Sequence, residues 1–219
     1  MKAILIAEGK KEDSYQEFKK RILSEAGNLT EICDQVKVVI TDQPPPRFSI
    51  IPFRKSKIAS ISIYSTEKIP IEVLELSDLI GGYKVEEALP VAYQKSWQDG
   101  EPTPGKNLLT LFRKKDGLDY DDFIHRWHNG HTPLSLKIHP LWNYNRNVVK
   151  SSLLDVSKWY DGIVEEQVKE DSELFNPFRF FGSPTVIIQN MLKVYFDVKG
   201  FIAYDSIETY LANEYWIKS

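Results

Sequence analysis

The sequence has few of the features that mark secreted, metal-binding or nucleotide-binding chains. One of its 219 residues is a cysteine, Cys33, so no intrachain disulfide can form. No second soft ligand lies near Cys33, and we find no zinc pattern, phosphate-binding glycine loop or serine-centred nucleophile elbow. The single thiol favours a reducing, cytoplasmic compartment, and the missing glycine loop disfavours nucleotide-dependent chemistry.

Positive charge is not in excess, and long hydrophobic runs are missing. The chain has 28 basic and 31 acidic residues, for a net charge of −3, and no basic patch interleaved with aromatic residues. We therefore expect no nucleic-acid partner, since phosphate backbones attract proteins with an excess of positive charge. The run from Met1 to Glu8 has about six apolar residues, too few for a signal-peptide core or a membrane span. We expect no membrane partner and interpret this run as the first β-strand.

What the sequence does contain predicts a packed globular fold. Hydrophobic residues make up 42% of the chain and aromatic residues 12%, ample for a large core. In the first half, apolar periodicity and capping signals predict the order β-α-β-β-α-β. The predicted elements are a strand at 3–7, a helix from Ser14 to Gly27, strands at 36–41 and 57–64, a helix from Pro70 to Ile80 that Gly81 and Gly82 end, and a strand at 83–93.

A polar stretch at 98–106 with two glycines and two prolines predicts a linker between two halves. The second half repeats the order of elements. It is predicted to contain strands at 108–112, 142–149 and 160–168, a helix from Tyr120, a helical region over 173–196 and a last strand or strand pair within 202–217. We therefore predict an N-terminal repeat at 1–97 and a C-terminal repeat at 107–219.

The two halves share a short pattern that suggests duplication. Ser14-Tyr-Gln-Glu-Phe18 and Asp119-Tyr-Asp-Asp-Phe123 place an N-cap, a tyrosine, an acid and a phenylalanine at the same offsets. Continuing the alignment sets Ala26 opposite His131. The N-terminal repeat is thus expected to be a degenerate copy that keeps the apolar helix face and lacks the histidine.

All four histidines of the chain lie between His125 and His139. For a helix that begins near Tyr120, a rotation of about 100° per residue brings Phe123, Trp127 and His131 within a sector of about 80°. His125 points to the far side, and His128 lies about 60° beyond His131 at the rim. This spacing favours His131 as the histidine that shares a face with the aromatic residues.

An imidazole beside an apolar aromatic wall is suited to proton transfer, since such a wall lowers its pKa toward that of a neutral base. His131 is therefore a candidate general acid or base. The alternative is a partly buried histidine whose ring nitrogens bond to backbone carbonyls. A metal site is less favoured, because His125, His128 and His131 spread over about 120° of the helix with no acidic or cysteine ligand. His139, before Pro140, is interpreted as part of a loop.

The strand at 142–149 offers two further polar side chains. Alternation puts Tyr144 and Arg146 on one face and three asparagines, Asn143, Asn145 and Asn147, on the other. If the first face points into a barrel, the phenol of Tyr144 can donate to a substrate oxygen and the guanidinium of Arg146 can hold a carboxylate. If the asparagines point inward, Tyr144 and Arg146 are surface residues.

The run Phe123-Ile-His-Arg-Trp127-His-Asn-Gly-His131-Thr-Pro133-Leu134, preceded by the strand from Asn107, resembles the EthD family of the dimeric α+β barrel superfamily. Tyr160-Asp-Gly-Ile-Val-Glu165 is similar to that family's second signature, and Phe196-Asp197 to its third. The resemblance extends from Asn107 to Ser219.

The resemblance implies an α+β fold of two fused ferredoxin-like units whose antiparallel sheets form a barrel around a small-molecule pocket. The members of that family have mixed activities, so the resemblance itself names no reaction. From His131 beside an apolar pocket, we predict a cofactor-independent enzyme of lyase type, catalysing decarboxylation, dehydration or cyclisation of an apolar aromatic or polyketide-like substrate. His131 would be catalytic, and the substrate would be bound by Phe123, Trp127, His128, Tyr144, Asp161 and Glu165.

Two alternatives stay open. Other branches of the superfamily bind haem through a histidine, which implies a haem-dependent oxidoreductase, and a small-ligand-binding protein without turnover is the third interpretation. An exposed sheet edge in each half would also favour a homodimer.

Overall fold

The computed structural model describes residues 1–67, 76–155 and 157–219, and it contains eight β-strands. The strands are Lys2–Glu8 (β1), Gln35–Ile40 (β2), Ile58–Tyr64 (β3), Leu79–Val91 (β4), Lys106–Phe112 (β5), Leu141–Ser152 (β6), Gly162–Val168 (β7) and Glu208–Lys218 (β8). Every pair is antiparallel, and the strands close into a barrel in the order β1-β3-β2-β8-β5-β7-β6-β4. The predicted α+β class with an antiparallel barrel agrees with this architecture.

Each half of the chain contributes four neighbouring strands in the same relative order, β4-β1-β3-β2 and β8-β5-β7-β6. The two sets are joined edge to edge by the pairs β2 with β8 and β4 with β6. The expectation of an exposed sheet edge in each half is therefore wrong for the described strands, because these edges pair with each other. The homodimer that rested on free edges stays a prediction without that support.

The described helices lie outside the barrel. They are Tyr15–Asn28 (α1), Tyr120–His125 (α2), a π-helical turn at Arg126–His131, Thr132–Ile138 (α3), Asp171–Phe175 (α4), Pro177–Phe180 (α5) and Ile187–Phe201 (α6), with 3-10 turns at Leu29–Glu31 and Tyr204–Ser206. The predicted N-caps are both present: Ser14 forms a capping box with Glu17, and Asp119 accepts from the amide of Asp121. None of the helices in the described part of the chain is long and apolar enough to cross a membrane.

The helix predicted from Pro70 to Ile80 falls largely outside the described residues. For its last two residues, Leu79 and Ile80, the prediction of a helix is wrong. Leu79 and Ile80 belong to β4, which runs on through Gly81 and Gly82. Gly82 packs closely inside the strand, since a Cβ atom there would lie 2.9 Å from Leu5 Cδ2. The two glycines thus allow close packing rather than ending a helix. The interpretation as two ferredoxin-like repeats stays a prediction.

The predicted linker is anchored to the last strand of the barrel. The amide of Gly100 donates to the Trp216 carbonyl at 2.7 Å, and the amide of Thr103 donates to the Glu214 carbonyl at 2.8 Å. Gly105 has a φ of +81°, and a Cβ atom there would collide with the Val168 carbonyl, so only glycine fits. The segment connects two halves of one barrel, and the boundaries proposed for the repeats stay a prediction.

Strand alternation separates two cores. Inward residues fill the barrel lumen, where Ile4, Leu109 and Ile163 form an apolar part and Lys37 lies 2.5 Å from Glu165 in a polar part. Outward residues pack under helices: α1 covers the first-half sheet, while α2, the π turn and α6 cover the second-half sheet. A pocket can therefore lie either in the lumen or on the outer face of the sheet, under the helices.

Candidate active site between the sheet and the helices

A cleft of about 320 Å³ lies between the outer face of the second-half sheet and the helices that cover it. Strands β5, β6 and β7 supply its floor, and the π turn, α3 and α6 supply its walls. Most of the lining side chains are aliphatic or aromatic. They include Leu108, Phe112, Trp127, His131, Ser135, His139, Tyr144, Val164, Glu166, Phe180, Met191, Val194, Tyr195, Val198, Phe201 and Thr209.

His131 lies in the wall of this cleft and is held at both ring nitrogens. Its Nδ1 is 2.7 Å from Asp197 Oδ2 on α6, and its Nε2 is 3.1 Å from Ser135 Oγ on α3. A carboxylate only accepts, so the Nδ1–H donates to Asp197, and the Ser135 hydroxyl donates to the Nε2 lone pair. This arrangement fixes the tautomer in which Nε2 can take a proton. The His131 side chain is 13% exposed, so it is reachable from the cleft.

The π turn that carries His131 is closed by one threonine. The Thr132 hydroxyl donates to the Trp127 carbonyl at 3.0 Å, and the backbone N–H of Thr132 donates to the same carbonyl, five residues back. Arg146 Nη1 on β6 donates to the Thr132 hydroxyl at 2.5 Å. The wide turn thereby presents Trp127 and His131 to the same cleft.

Glu166 is the one carboxyl group among the described lining residues, and no pattern in the sequence had indicated it. It lies on the outer face of β7, paired with Leu108 on β5 and Tyr144 on β6. Within the described ranges, no side chain or backbone group hydrogen-bonds to its carboxyl. Burial raises the pKa of Glu166 to about 7, and the neighbouring His131 acts in the opposite direction. The cleft thus contains a carboxyl group that ionises near neutral pH.

Glu165, the residue that the second signature indicated, does not reach the cleft. It points into the barrel lumen, is fully buried, and binds Lys37 Nζ at 2.5 Å and the Ser60 hydroxyl at 3.3 Å. Adjacent residues of a strand face opposite sides, so Glu165 and Glu166 lie in different compartments. Strand alternation, applied once the inner face is known, is the signal that identifies Glu166.

Asp161, the other signature residue, shapes a turn. Its carboxylate accepts from the Lys114 amide at 2.8 Å and from Trp159 Nε1 at 3.1 Å. Both contacts lie before β7 and outside the cleft lining. The structure therefore does not bring Asp161 together with His131.

Two of the predicted aromatic residues line the cleft, and the third lies beneath them. Trp127 and Tyr144 line the cleft, whereas Phe123 is fully buried beneath them and packs on Phe112 and Phe201. Tyr144 faces the helices and not the barrel interior, so the first interpretation of the strand is corrected.

The asparagines of β6, Asn143, Asn145 and Asn147, occupy the lumen side instead. Arg146 is buried as well, at 8% exposure, under the π turn. The alternative that made Tyr144 and Arg146 surface residues is therefore also wrong, because helices cover this face.

The other three histidines have different surroundings. His125 is exposed and lies 3.0 Å from Asn129 Nδ2. His128 is not a lining residue, and burial with the nearby Arg146 charge lowers its pKa to about 4. His139 lies in the short connection between α3 and β6, as predicted, but it is buried there: it lines the cleft, stacks on Phe180 at 4.2 Å, and has a pKa lowered to about 4 by burial. Among the described residues, no cluster of histidine, cysteine and acidic side chains could hold a metal ion.

Ser135, His131 and Asp197 follow the order of a hydrolytic triad, but their setting favours proton transfer. Ser135 is buried within α3, where the neighbouring backbone N–H groups serve the helix and do not form an oxyanion hole. Ser135 and Asp197 therefore act on His131 by orienting its ring, and His131 stands in the cleft wall as a candidate base.

Comparisons with known proteins bear on the fold alone. Neither a family model nor a curated protein sequence matches this chain. The structure is similar to the crystal structure of an anthrone oxidase-like protein, with a TM-score of 0.60 and 9% sequence identity over 98% of this chain and 90% of that chain. Membership of the EthD family stays a prediction. The likeness shows that the two chains share a fold, which here is a closed antiparallel barrel with outer helices.

Proposed function

We propose that this protein is a cofactor-independent enzyme that transfers a proton on a small, apolar, aromatic or polyketide-like molecule. The observation that carries the proposal is His131, held between Asp197 and Ser135 in the wall of an apolar cleft. Decarboxylation, dehydration and cyclisation of the lyase type need such a base and a pocket from which water is largely excluded.

In this proposal each of the three residues has one role. His131 Nε2 takes the proton from the substrate, and Asp197 stabilises the imidazolium that results. Ser135 gives up its hydrogen bond to Nε2 as the substrate approaches and holds the ring in plane until then. Trp127 and Tyr144 shape the cleft around the aromatic body of the substrate.

Oxidation is the second candidate, and the name of the structurally similar anthrone oxidase-like protein favours it. Anthrone is a tricyclic ketone with an acidic methylene group. Loss of a methylene proton to His131 would give an electron-rich enolate, and anthrone with dioxygen would yield anthraquinone and water. The same base therefore serves both candidate reactions.

Haem-dependent oxidation would use the same nitrogen of His131. A haem iron would have to displace the Ser135 hydroxyl from Nε2, as the substrate does in the first proposal, while Asp197 would keep its bond to Nδ1. Addition of haem, with an absorbance scan for a Soret band, tests this alternative directly.

The test is exchange of the methylene protons of anthrone in D₂O, followed by NMR, because exchange reports proton removal whatever reaction follows. We expect the wild-type protein to accelerate exchange and His131→Gln to lower the rate about 10²–10⁴-fold, the usual contribution of a general base. His125→Gln is the matched control, since His125 is exposed on the same helical segment. Equal rates for wild type and His131→Gln would refute the assignment, and binding without exchange would favour the non-catalytic alternative.

A further inference from the structure

Glu166 stands out among the cleft residues because nothing in the described structure pairs with its carboxyl group. The acids of the barrel lumen, by contrast, have partners: Glu165 and Glu214 bind Lys37, and Glu87 binds Lys2. Glu166 is partly exposed to the cleft, so its carboxyl oxygens can meet a ligand or water there. The orientation of Glu166 into the cleft makes a bound ligand its natural partner.

The titratable groups around Glu166 come from several elements. His131 lies in the π turn, His139 follows α3 and Asp197 is on α6, while Tyr144, Tyr195 and Tyr204 contribute phenols to the same cleft or its wall. Within residues 1–67, 76–155 and 157–219, none of the lysines or arginines lines the cleft. No fixed cation therefore holds Glu166 in the ionised form, and burial favours the neutral acid.

A neutral carboxylic acid can donate a hydrogen bond, whereas a carboxylate can only accept. The two forms therefore select opposite ligands. In the acid form, the O–H of Glu166 suits a carbonyl oxygen on an otherwise apolar molecule, while an anionic ligand would have to enter a cleft without a counter-charge.

We propose that Glu166 is the specificity-determining residue of the cleft, donating from its protonated carboxyl to the carbonyl oxygen of a neutral ketone and disfavouring carboxylate ligands. The proposal builds on the cleft assigned above as the functional site, but it concerns binding and does not require His131 to act as a base. It predicts that affinity for ketones follows the protonated fraction of Glu166.

The experiment measures dissociation constants between pH 5.5 and 9 for three tricyclic probes of similar shape: 9-fluorenone, fluorene and fluorene-2-carboxylate. For the wild type, we expect fluorenone binding to weaken by about tenfold as the pH rises through the Glu166 pKa, since one hydrogen bond is lost and a carboxylate faces the carbonyl. Fluorene should bind independently of pH, and fluorene-2-carboxylate should bind more weakly than fluorene throughout.

Variants separate Glu166 from its neighbours. Glu166→Gln keeps a donor that cannot ionise, so fluorenone should bind it at every pH about as tightly as it binds wild type at low pH. Glu166→Leu should bind fluorenone and fluorene equally. His131→Gln should retain the pH dependence, which distinguishes failure of this proposal from failure of the catalytic one.

Several results would overturn the proposal. A pH-independent affinity of the wild type for fluorenone would do so, as would pH dependence that survives in Glu166→Gln. Tighter binding of the carboxylate probe than of fluorene would contradict the neutral acid. If none of the three probes binds, the proposal for Glu166 fails, whereas the exchange assay with anthrone still decides the catalytic proposal.

Discussion

The short segment that holds all four histidines exposes each imidazole to different surroundings. His125 is in solvent, His131 is held by a carboxylate and a hydroxyl, and His139 is buried against the ring of Phe180. Burial disfavours the charged imidazolium, so His139 remains neutral well below the pH at which a free histidine is protonated. The pKa of His128 is also lowered to about 4, so His128 and His139 should both reduce stability in acid.

His139 should make the fold acid-sensitive between pH 6.5 and 4. Its pKa falls from 6.5 to about 4 on folding, so in this window the unfolded chain binds the proton more tightly and stability decreases as the pH falls. The full effect is about 3 kcal/mol, at about 1.4 kcal/mol per pKa unit. Urea unfolding at pH 7 and pH 4.5 measures it.

The variant His139→Gln should lose less stability between these two pH values than the wild type, although it is less stable at pH 7 because the stacking on Phe180 is lost. His125→Gln is the control and should follow the wild type. An identical pH dependence in His139→Gln would show that other groups cause the acid sensitivity.

At the level of single residues, the sequence identified His131 but not its ionisable neighbour in the cleft. Helical spacing was enough to place His131 on the face with Trp127. Glu166 was missed because Glu165, the adjacent residue, matched a family signature. Only the register of β7 against β5 and β6 shows which of the two points outward.

At the scale of elements, the π turn decides where the cleft residues point. Its width depends on the Thr132 hydroxyl, which bonds the Trp127 carbonyl and accepts from Arg146. Among the described residues, the Thr132 hydroxyl is the one side-chain group that hydrogen-bonds to the buried guanidinium of Arg146. Loss of the hydroxyl would leave the Arg146 donor without an acceptor.

We therefore expect Thr132→Val to destabilise the protein by about 1–3 kcal/mol, the usual penalty for a buried polar group that loses its partner. Thr132→Ser keeps the hydroxyl and should lie much closer to wild type, losing only the packing of one methyl group. Urea unfolding at pH 7 measures both variants. Equal stability of the valine and serine variants would contradict the role given to the hydroxyl.

Capping chemistry predicted the start of this helical segment at Asp119, but nothing in the sequence specified a π turn. Gly130 and Pro133 indicated only that a regular helix is interrupted. The same limit applies to Leu79 and Ile80, whose apolar character fits a helix face and a strand equally well. These residues form a strand because β4 pairs with β1, and such pairing between distant segments is a tertiary effect.

At the scale of the whole molecule, the barrel lumen joins the two halves through a buried ion cluster. Lys37 from the first half lies 2.5 Å from Glu165 and 3.2 Å from Glu214 of the second half, and all three are almost fully buried. The pKa of Lys37 is raised well above its usual value by the two carboxylates, although burial opposes the shift. The lysine therefore stays charged inside the barrel.

Lys37→Met should destabilise the protein by about 3–5 kcal/mol, because it leaves two carboxylates buried without a cation. The triple variant Lys37→Met, Glu165→Gln, Glu214→Gln removes all three charges and should recover part of the loss. Chemical unfolding at pH 7 gives the comparison. A single variant as stable as wild type would show that the cluster does not hold the halves together.

The alternation of β and α elements predicted the fold class, and the repeated order of elements agreed with the strand order in each half. The closure of both halves into one barrel and the covered face of β6 were not predictable, since they depend on pairs far apart in sequence such as β2 with β8. For this reason the pocket was expected inside the barrel, whereas the apolar cleft lies outside it.

The position of a bound ligand tests the central claim most directly. We would solve the crystal structure of the protein with 9-fluorenone, or measure intermolecular NOEs to the same probe. The ligand should lie against Trp127, Tyr144 and His131 on the outer face of the sheet, with its carbonyl oxygen at Glu166. A ligand bound in the lumen beside Lys37 and Glu165, with no ligand in the cleft, would contradict the account.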